Sequence, residues 1–235
     1  MKALILAAGL GSRLAPITDN VPKSMVPVNG KPILVKQIEN LISNNINDIT
    51  IITGYKSEVI ENLINTKYPY IRVIKSEDYM NTNNMYSAYL AKQVMENQDF
   101  LMMNADVYYD ASVITELLND KYTNAIVTDI GNYNEESMKV IEKDNKIVSI
   151  SKQISKSDAL GCSIDVYKFS ALAGKVFFDK CTEYIEVKKE LKLWSEVALN
   201  DILNDIDFVA CQLKGRWVEI DNHDDLRIAT ALFKD

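Results

Sequence analysis

The chain has 235 residues, of which 47% are hydrophobic and 25% are charged, a composition typical of a soluble globular enzyme. Its formal net charge of −7 argues against general nucleic-acid binding, and no apolar run approaches the roughly 18 residues of a membrane span. The three cysteines, Cys162, Cys181 and Cys211, lack the CxxC spacing of a zinc site, so we expect reduced thiols and a cytoplasmic protein.

Strands and helices are predicted to alternate over the first 130 residues. The predicted strands are 2–6, 48–53, 71–74, 100–103 and 125–128, and the predicted helices are 32–43, 59–64, 84–95 and 113–118. This alternation favours an α/β fold of three layers, in which a Rossmann-like, mostly parallel sheet is covered by helices on both faces.

The pattern changes after Asp129. Residues 138–142 and 146–150 alternate in polarity around Lys143-Asp144-Asn145, which predicts a β-hairpin. The remaining predicted elements are strands 162–167, 208–213 and 217–220 and helices 169–184, 193–203 and 224–233. We expect a single domain over 1–235, in which 130–168 forms a small β-hairpin lobe over the sheet edge.

The first predicted strand ends in a run of small residues that leads to Arg13. Residues without bulky side chains let a phosphate approach backbone N–H groups closely. Arg13 and Lys23 then add positive charge that backbone dipoles alone do not supply. The segment therefore predicts a cradle for a nucleoside triphosphate. The residues of this part that we expect to bind the nucleotide are Leu6, Ala8, Gly9, Gly11, Ser12, Arg13 and Lys23.

Two better-known phosphate loops do not fit this segment. A dinucleotide-binding fingerprint needs a third glycine at position 14, which is Leu14, and an acidic residue after the second strand, which ends instead in Thr53-Gly54-Tyr55. A Walker-type loop needs Gly-Lys-Ser/Thr, and the chain has Gly11-Ser12-Arg13.

Two further segments accompany the loop, namely Pro22-Lys23 and the stretch 27–32. Together with 7–13 they resemble the signature of the sugar-1-phosphate nucleotidyltransferases and of their small cytidylyltransferase relatives. The resemblance extends to about position 230 and thins after 110. It implies the nucleotide-diphospho-sugar transferase fold, Mg²⁺ as cofactor, and a nucleotide and a small phosphorylated acceptor as partners, with 130–168 on the acceptor side.

Two carboxylates follow predicted strands, where open parallel sheets usually carry their chemistry. Asp106 follows the strand that ends at Met103, with Ala105 beside it, and Asp221 follows the last short strand. Each aspartate could simply cap a helix or a turn. Together they form the hard oxygen pair that Mg²⁺ prefers, and the resemblance implies that the matching aspartates hold the catalytic metal.

The stretch 81–87 is rich in amides. Asn83 could be the N-cap of the following helix, or Asn83 and Ser87 could bind the base and the ribose, with Gly54 and Tyr55 flanking the base. The pattern Asn-Asn-x-Tyr-Ser resembles that of cytidylyltransferases acting on phosphocholine and related phosphomonoesters. The resemblance therefore favours CTP.

The acceptor must be a phosphate monoester, so its site needs positive charge beyond Lys23. Lys139 and Lys152, on the two arms of the predicted hairpin, are the candidates, and either could be an ordinary surface lysine. The resemblance places Lys152 about where the family has a lysine that binds acceptor phosphate, and Trp194 lies in a segment that resembles that of the phosphocholine enzymes. Glu219, after the last short strand, is a further candidate contact. Arg216 and Glu196 are additional candidates. Since the aromatic and acidic cage expected around phosphocholine is incomplete, we expect phosphocholine to be a poor substrate. The resemblance extends to a related branch that activates phosphoglutamine with CTP for capsule phosphoramidate, and it implies phosphoglutamine as the acceptor. Aminoethylphosphonate is another choice.

The residue types favour direct transfer over a covalent intermediate. No Ser–His–Asp or Cys–His pair is evident, and the single histidine, His223, is expected at a helix start. In-line attack would then depend on Arg13 holding the β and γ phosphates and Lys23 neutralising the reacting centre.

Three alternatives stay open. The first is a sugar-1-phosphate nucleotidyltransferase that uses dTTP, UTP or GTP. The second is a glycosyltransferase that uses Asn104-Ala105-Asp106 as its metal motif, and the third is a non-catalytic CTP-binding regulatory module. Apolar residues of the last fifty positions could form a homodimer contact or belong to the core.

Overall fold

A nine-stranded mixed sheet forms the centre of the protein in a computed structural model that describes residues 1–234. In chain order, the strands of the described residues are β1 (Lys2–Ala7), β2 (Pro27–Val28), β3 (Lys31–Pro32), β4 (Ile49–Thr53), β5 (Arg72–Lys75), β6 (Phe100–Asn104), β7 (Val107–Tyr109), β8 (Ala125–Ile130), β9 (Lys139–Lys143), β10 (Lys146–Ser151), β11 (Gly161–Phe169), β12 (Val209–Gln212) and β13 (Trp217–Glu219). The α-helices are α1 (Ile33–Ser43), α2 (Ser57–Lys67), α3 (Asn84–Leu90), α4 (Lys92–Met95), α5 (Ser112–Leu117), α6 (Ala171–Thr182), α7 (Ser195–Ile202) and α8 (His223–Leu232).

The order of the main sheet is β10-β9-β11-β6-β1-β4-β5, and β8 pairs with both β11 and β12. Strand β1 lies parallel to β4 on one side and to β6 on the other. Its side chains alternate between two buried clusters. Ala3 and Ile5 pack with α1, α2 and α5, whereas Leu4 and Leu6 pack with α3, α6 and α7. Helices thus cover both faces, and the predicted three-layer α/β fold is confirmed.

The predicted hairpin is present, but it extends the central sheet instead of standing over its edge. Strand β9 pairs with the start of β11, and the end of β11 pairs with β6. The long strand changes neighbours near Asp165, whose φ of 56° lies in the left-handed region. Only about a twentieth of non-glycine residues adopt such a φ, and Asp is among the tolerant types. This local break gives one strand two successive partners.

The predicted strand at 217–220 is present as β13, and it forms a short sheet with β7 that the sequence analysis did not predict. Strand β13 pairs antiparallel with β7, with Glu219 opposite Val107. One residue further along, the Ile220 N–H donates to the Asp106 carbonyl oxygen at 2.9 Å. These pairings bring the segment before α8 to the carboxyl end of β6.

The final helix, α8, begins at His223 with a capping box. The Asn222 side chain accepts from the backbone of Asp225, and the Asp225 carboxylate accepts from the Asn222 N–H. His223 therefore stands at a helix start, as predicted, and its Nε2 lies 2.8 Å from the Ala15 carbonyl oxygen.

The apolar residues near the end of the described chain divide into two groups. Phe208 and Ile220 are fully buried and belong to the core, whereas Ile228 and Leu232 are exposed. A homodimer contact stays a prediction. None of the helices within residues 1–234 combines the length and apolarity needed to cross a bilayer.

Candidate active site

A cavity of about 400 Å³ opens beside the carboxyl ends of β1 and β6. This is the edge at which chemistry was expected from the parallel sheet. Most of the predicted site residues line it. The predicted residues in the lining are Leu6, Ala8, Gly9, Arg13, Lys23, Asn83, Ser87, Ala105, Asp106, Lys152, Trp194, Glu219 and Asp221.

The loop after β1 gives the cavity a wall of backbone and small side chains. At Gly9, an added Cβ would meet no atom within 4 Å, so the space above it is free. At Gly11, φ is 69°, and an added Cβ would lie 2.7 Å from the Lys23 Cβ. Gly11 itself does not line the cavity, but the absence of its side chain allows Lys23 to cross the loop and reach the site.

The Lys23 ammonium lies between two carboxylates. Its Nζ donates to Asp106 Oδ2 at 2.8 Å and to Asp221 Oδ1 at 2.5 Å. Burial by itself would lower the pKa of Lys23, but the charges of Asp106 and Asp221 outweigh burial and raise the pKa above its usual range. Lys23 is therefore a fixed positive charge at the centre of the site.

Arg13 approaches the same group from the rim. Its Nη2 lies 2.8 Å from Asp221 Oδ2, its Nη1 lies 3.7 Å from Glu136 Oε2, and its side chain is 58% exposed. Burial opposes ionisation of Asp221, but the charges of Lys23 and Arg13 prevail and lower the pKa of this carboxyl. The guanidinium thus stands at the entrance, within reach of an anionic group that enters the cavity.

The acidic group suits a divalent cation. Asp106, Glu219 and Asp221 each offer a carboxylate oxygen, and these oxygens lie within 4.8 Å of one another. The Asp106 Oδ1 atom is buried and has no hydrogen-bond partner among the described residues, which leaves a ligand atom available. Burial, together with the charges of Asp106 and Asp221, raises the pKa of Glu219 to about 7. The structure thus adds Glu219, predicted as an acceptor contact, to the predicted metal pair.

The amide-rich segment 81–87 both caps α3 and lines the cavity. The Asn83 side chain accepts from the Asn84 N–H at 2.8 Å, so Asn83 is the N-cap of α3 and also lines the cavity. Asn84 accepts from the Ser195 N–H at 2.8 Å and thereby ties α3 to the start of α7. Ser87 is buried in the lining. Both roles considered for this segment are therefore compatible.

A buried acidic network lies at the other end of the cavity; Glu196 was among the acceptor candidates and lines the cavity, whereas Asp165 was not predicted. Asp165 accepts from Asn104 Nδ2 at 2.9 Å and from the Tyr167 hydroxyl at 2.9 Å, and Tyr167 also lies 3.0 Å from Glu196 Oε1. Burial raises the pKa of Asp165, and the charge of Glu196 adds to this effect. Burial also raises the pKa of Glu196. The available sequence signal was the aspartate in the middle of an otherwise apolar strand, Ile164-Asp165-Val166.

The acceptor candidates Lys152 and Trp194 meet at the same end. The Lys152 ammonium lies 4.9 Å from the centre of the Trp194 ring, and both residues line the cavity. Ser137 donates to Glu219 Oε2 at 3.3 Å and links this end to the acidic group.

Several predicted site residues lie outside the lining. Gly54 lies against Ala8, and the Tyr55 hydroxyl donates to the Thr18 carbonyl oxygen, so base contacts through them stay a prediction. Lys139 is fully buried and donates to the Glu135 carbonyl oxygen at 2.9 Å. The remaining predicted residues outside the lining are Gly11, Ser12 and, among the additional acceptor candidates, Arg216, which pairs with Asp110.

Comparison with known proteins relates this site to nucleotide chemistry. The choline-phosphate cytidylyltransferase of Streptococcus pneumoniae is 47% identical over 108 residues, which are 46% of this chain and 45% of that protein. The CTP:phosphoglutamine cytidylyltransferase of Campylobacter jejuni is 29% identical over 251 aligned residues, 97% of this chain and 98% of that protein. The bifunctional protein GlmU of Methanococcus maripaludis is 34% identical over 94% of this chain, which spans about half (51%) of that protein.

Solved structures agree with the sequence relatives. The structure of CTP:phosphocholine cytidylyltransferase from Streptococcus pneumoniae matches with a TM-score of 0.83 and 30% identity, over 99% of each chain. The inositol-1-phosphate CTP transferase of T. maritima shares the fold, with a TM-score of 0.79 and 18% identity over 98% of this chain and 94% of that one.

A family model described as "Nucleotidyl transferase" matches residues 2–154. The matched part contains the small-residue loop after β1, the Lys23 that crosses it, and the strand end that carries Asp106. Because this match covers more than half of the sequence, the chain belongs to the nucleotidyl transferase family.

Proposed function

We propose that this nucleotidyltransferase is a Mg²⁺-dependent cytidylyltransferase that transfers CMP from CTP to a small phosphate monoester and releases pyrophosphate. The observation that carries the proposal is the Lys23 ammonium held between Asp106 and Asp221, in the same cavity as the free space above Gly9. CTP is favoured because two relatives, from Streptococcus pneumoniae and Campylobacter jejuni, are named as cytidylyltransferases.

The charge balance of the cavity supports a divalent cation. Three cationic side chains line it, against six acidic ones. The cationic residues are Arg13, Lys23 and Lys152, and the acidic residues are Asp106, Glu136, Asp165, Glu196, Glu219 and Asp221. Burial raises the pKa of Asp165, Glu196 and Glu219, so this excess is smaller than the count of acidic residues. A triphosphate that enters beside Asp106 and Asp221 would still be repelled by these carboxylates unless a cation accompanied it. Asp106, Glu219 and Asp221 would hold Mg²⁺, which supplies positive charge to phosphate oxygens when bound.

The chain's own residues would then position and neutralise the reacting groups. An oxygen of the acceptor phosphate attacks the α-phosphorus of CTP, the bond from that phosphorus to the β-phosphate oxygen breaks, and pyrophosphate leaves. Arg13 at the rim would bind the leaving phosphates, and Lys23 would donate to the α-phosphate. Such transfer depends on positioning and charge stabilisation and needs no nucleophilic side chain.

The acidic network favours an acceptor that carries an ammonium group. Asp165 and Glu196 lie in the lining at the end of the cavity that also holds Lys152. An amino-acid-derived phosphate offers an ammonium to these carboxylates and a carboxylate to Lys152. We therefore propose phosphoglutamine, with a role in capsule phosphoramidate synthesis in the cytoplasm. The phosphoglutamine-specific relative supports this choice because its alignment covers 97% of the chain.

A panel of pyrophosphate-release assays tests the proposal. CTP, UTP, dTTP, GTP and ATP are each combined with phosphoglutamine, phosphocholine, aminoethylphosphonate and glucose-1-phosphate, with Mg²⁺ or with EDTA. We expect Mg²⁺-dependent release with CTP, fastest with phosphoglutamine. Fastest release with phosphocholine would contradict the acceptor assignment and leave the cytidylyltransferase assignment intact.

One alternative has a specific observation in its favour. The segment 7–13 resembles the signature of sugar-1-phosphate nucleotidyltransferases, and the GlmU relative of Methanococcus maripaludis aligns with 94% of this chain. Release with dTTP, UTP or GTP and glucose-1-phosphate would establish that alternative. CTP binding without release in any combination would instead favour a regulatory CTP-binding module.

A further inference from the structure

A second cavity, of about 350 Å³, lies next to the first, between β10, the turn after it and α7. Four residues line both cavities and so form the boundary between them, namely Met138, Lys152, Trp194 and Glu196. The residues that line the second cavity alone are Ser149, Ile150, Ser151, Gln153, Val197 and Asn200.

Part of the boundary is a weak contact between the side chains of Lys152 and Trp194. Lys152 places its ammonium 4.9 Å from the centre of the Trp194 ring, and this ring is 43% exposed. A cation–π contact at such an exposed site is weak, and the lysine stem has several rotatable bonds. A group entering from the first cavity could therefore displace Lys152 without disturbing the backbone.

The second cavity has a mostly apolar lining with a few polar groups, and its only charged side chains are Lys152 and Glu196 at the boundary. Ser149, Ser151 and Gln153 offer hydroxyl and amide groups, whereas Ile150 and Val197 are apolar. Asn200 accepts from the Ser149 hydroxyl at 3.1 Å and from the Ile150 N–H at 2.9 Å, both with Oδ1. This fixes its side chain, and its Nδ2 donates to no other group of the described residues. A carbonyl oxygen of a ligand would match that donor.

We infer that the second cavity binds the tail of the acceptor. The acceptor is then a phosphomonoester that presents its phosphate at Lys23, its charged head at Lys152 and Glu196, and an uncharged amide- or hydroxyl-bearing tail beyond Trp194. This inference rests on the proposed function, because it assigns the acceptor to the end of the first cavity that adjoins the second.

A matched pair of acceptors tests the inference. O-phosphoserinamide and O-phosphoseryl-glycinamide have the same phosphate and ammonium, and only the second has an additional amide tail. We expect kcat/KM of the wild-type protein with CTP to be about tenfold higher for the longer ester, the effect of one well-made hydrogen bond with some burial.

Two substitutions fill the second cavity from different walls. Val197→Phe acts from α7, and Gln153→Trp acts from an exposed turn, where a fold defect is not expected. Each should bring the ratio of the two kcat/KM values toward one, mainly by raising KM for the longer ester. Val187→Phe is the control, since Val187 is 76% exposed and lines neither cavity, and it should keep the wild-type ratio.

Results that overturn the tail subsite differ from results that overturn the proposed cytidylyltransferase function. Equal efficiency for both esters in the wild type, or a ratio unchanged in both filling variants, overturns the tail subsite while the cytidylyltransferase assignment stands. Turnover of phosphoglutamine but of neither serine ester also overturns it. The proposed function itself would be removed by the absence of pyrophosphate release in the whole panel, or by release only with dTTP, UTP or GTP and glucose-1-phosphate.

Discussion

At the scale of single residues, Lys23 connects the loop, the metal ligands and the chemistry. It crosses Gly11 at close range and lies between Asp106 and Asp221. In this position its ammonium neutralises the two carboxylates that we propose as ligands of a divalent cation. When phosphates and a cation enter, the ammonium would exchange its carboxylate partners for phosphate oxygens. Lys23 would thus pair with carboxylates in the free protein and with phosphate in the nucleotide complex.

Replacement of Lys23 by alanine should lower kcat by on the order of 10²–10³, the usual effect of removing one preorganised charge-stabilising group. Pyrophosphate release at saturating CTP measures it. Lys31→Ala is the matched control, because Lys31 is an exposed lysine paired with Glu39 outside the cavity. Near-wild-type kcat in Lys23→Ala would remove Lys23 from the mechanism.

The same position allows a test that does not depend on activity. Without CTP, Lys23→Met should bind Mn²⁺ about tenfold more tightly than the wild type, because a competing positive charge has left Asp106 and Asp221. Electron paramagnetic resonance of free Mn²⁺ gives the affinity. Weaker binding by the variant would mean that the ammonium does not occupy the metal position.

Asp165 provides a residue-scale prediction about pH. Burial raises its pKa in the folded chain, so the folded state keeps a proton that the unfolded state has already lost. Stability from this group is therefore complete below the ordinary carboxyl pKa and declines as pH rises toward the raised value. An asparagine in its place would not titrate, and asparagine tolerates the left-handed φ at this position.

Asp165→Asn should therefore gain thermal stability relative to the wild type as the pH rises from about 5 to about 8. Thermal unfolding of both proteins across this range measures the difference. A difference that stays constant with pH would show that the Asp165 carboxyl titrates alike in both states.

At the scale of elements, the ends of β1 and β4 meet through glycines with different roles. An alanine Cβ at Gly54 would lie 2.7 Å from the Ala8 carbonyl oxygen and 2.7 Å from the Tyr79 Cβ. At Gly9, an added Cβ would meet nothing within 4 Å. Gly54 is therefore required for packing of the two loops, whereas Gly9 leaves space for a ligand.

Gly54→Ala should thus reduce the free energy of unfolding by about 1–3 kcal/mol, as overpacking commonly does. Gly9→Ala should change it by less than about 0.5 kcal/mol. In contrast, Gly9→Ala should lower kcat/KM for CTP at least about tenfold, since a misplacement near 1 Å can cost on the order of 100-fold. Denaturant unfolding and steady-state kinetics separate the two effects, and a stable, fully active Gly9→Ala would contradict the phosphate cradle.

At the scale of the whole molecule, the site depends on a helix far from the loop in sequence. Asp221 lies two residues before α8, and the end of that helix is anchored by Phe233. The Phe233 ring packs edge-on against Tyr108 at 4.7 Å, and the Arg216 guanidinium lies 4.6 Å from its centre. Anchoring of this helix therefore helps to fix one metal ligand.

Phe233→Ala should reduce the free energy of unfolding by about 3 kcal/mol, the lower end for a buried phenylalanine. It should also lower kcat below the melting temperature, because Asp221 becomes less precisely held. Ile228→Ala on the same helix is the control, since Ile228 is 56% exposed and a surface substitution changes stability little. Equal stability losses in the two variants would contradict the anchoring role.

The sequence alone determined the alternation of strands and helices and the small-residue loop after β1. It also indicated that Lys23, Asp106 and Asp221 would lie close together at one edge of the sheet. Short sequence patterns are sufficient to indicate these features, namely hydrophobic periodicity, small residues at a strand end and polar residues that follow apolar strands. The resemblance of the motif to nucleotidyltransferases had the same local origin and agreed with the family match over residues 2–154.

Only the tertiary structure decided how distant side chains combine. Glu219 lies beside Asp106 and Asp221 because β13 pairs with β7, and Asp165 enters the cavity because β11 breaks where it changes neighbours. Lys139 donates to a backbone carbonyl oxygen and lies outside the cavity lining, although it was predicted to contact the acceptor. No local pattern encodes these outcomes, because each depends on packing between segments that meet only in the folded chain.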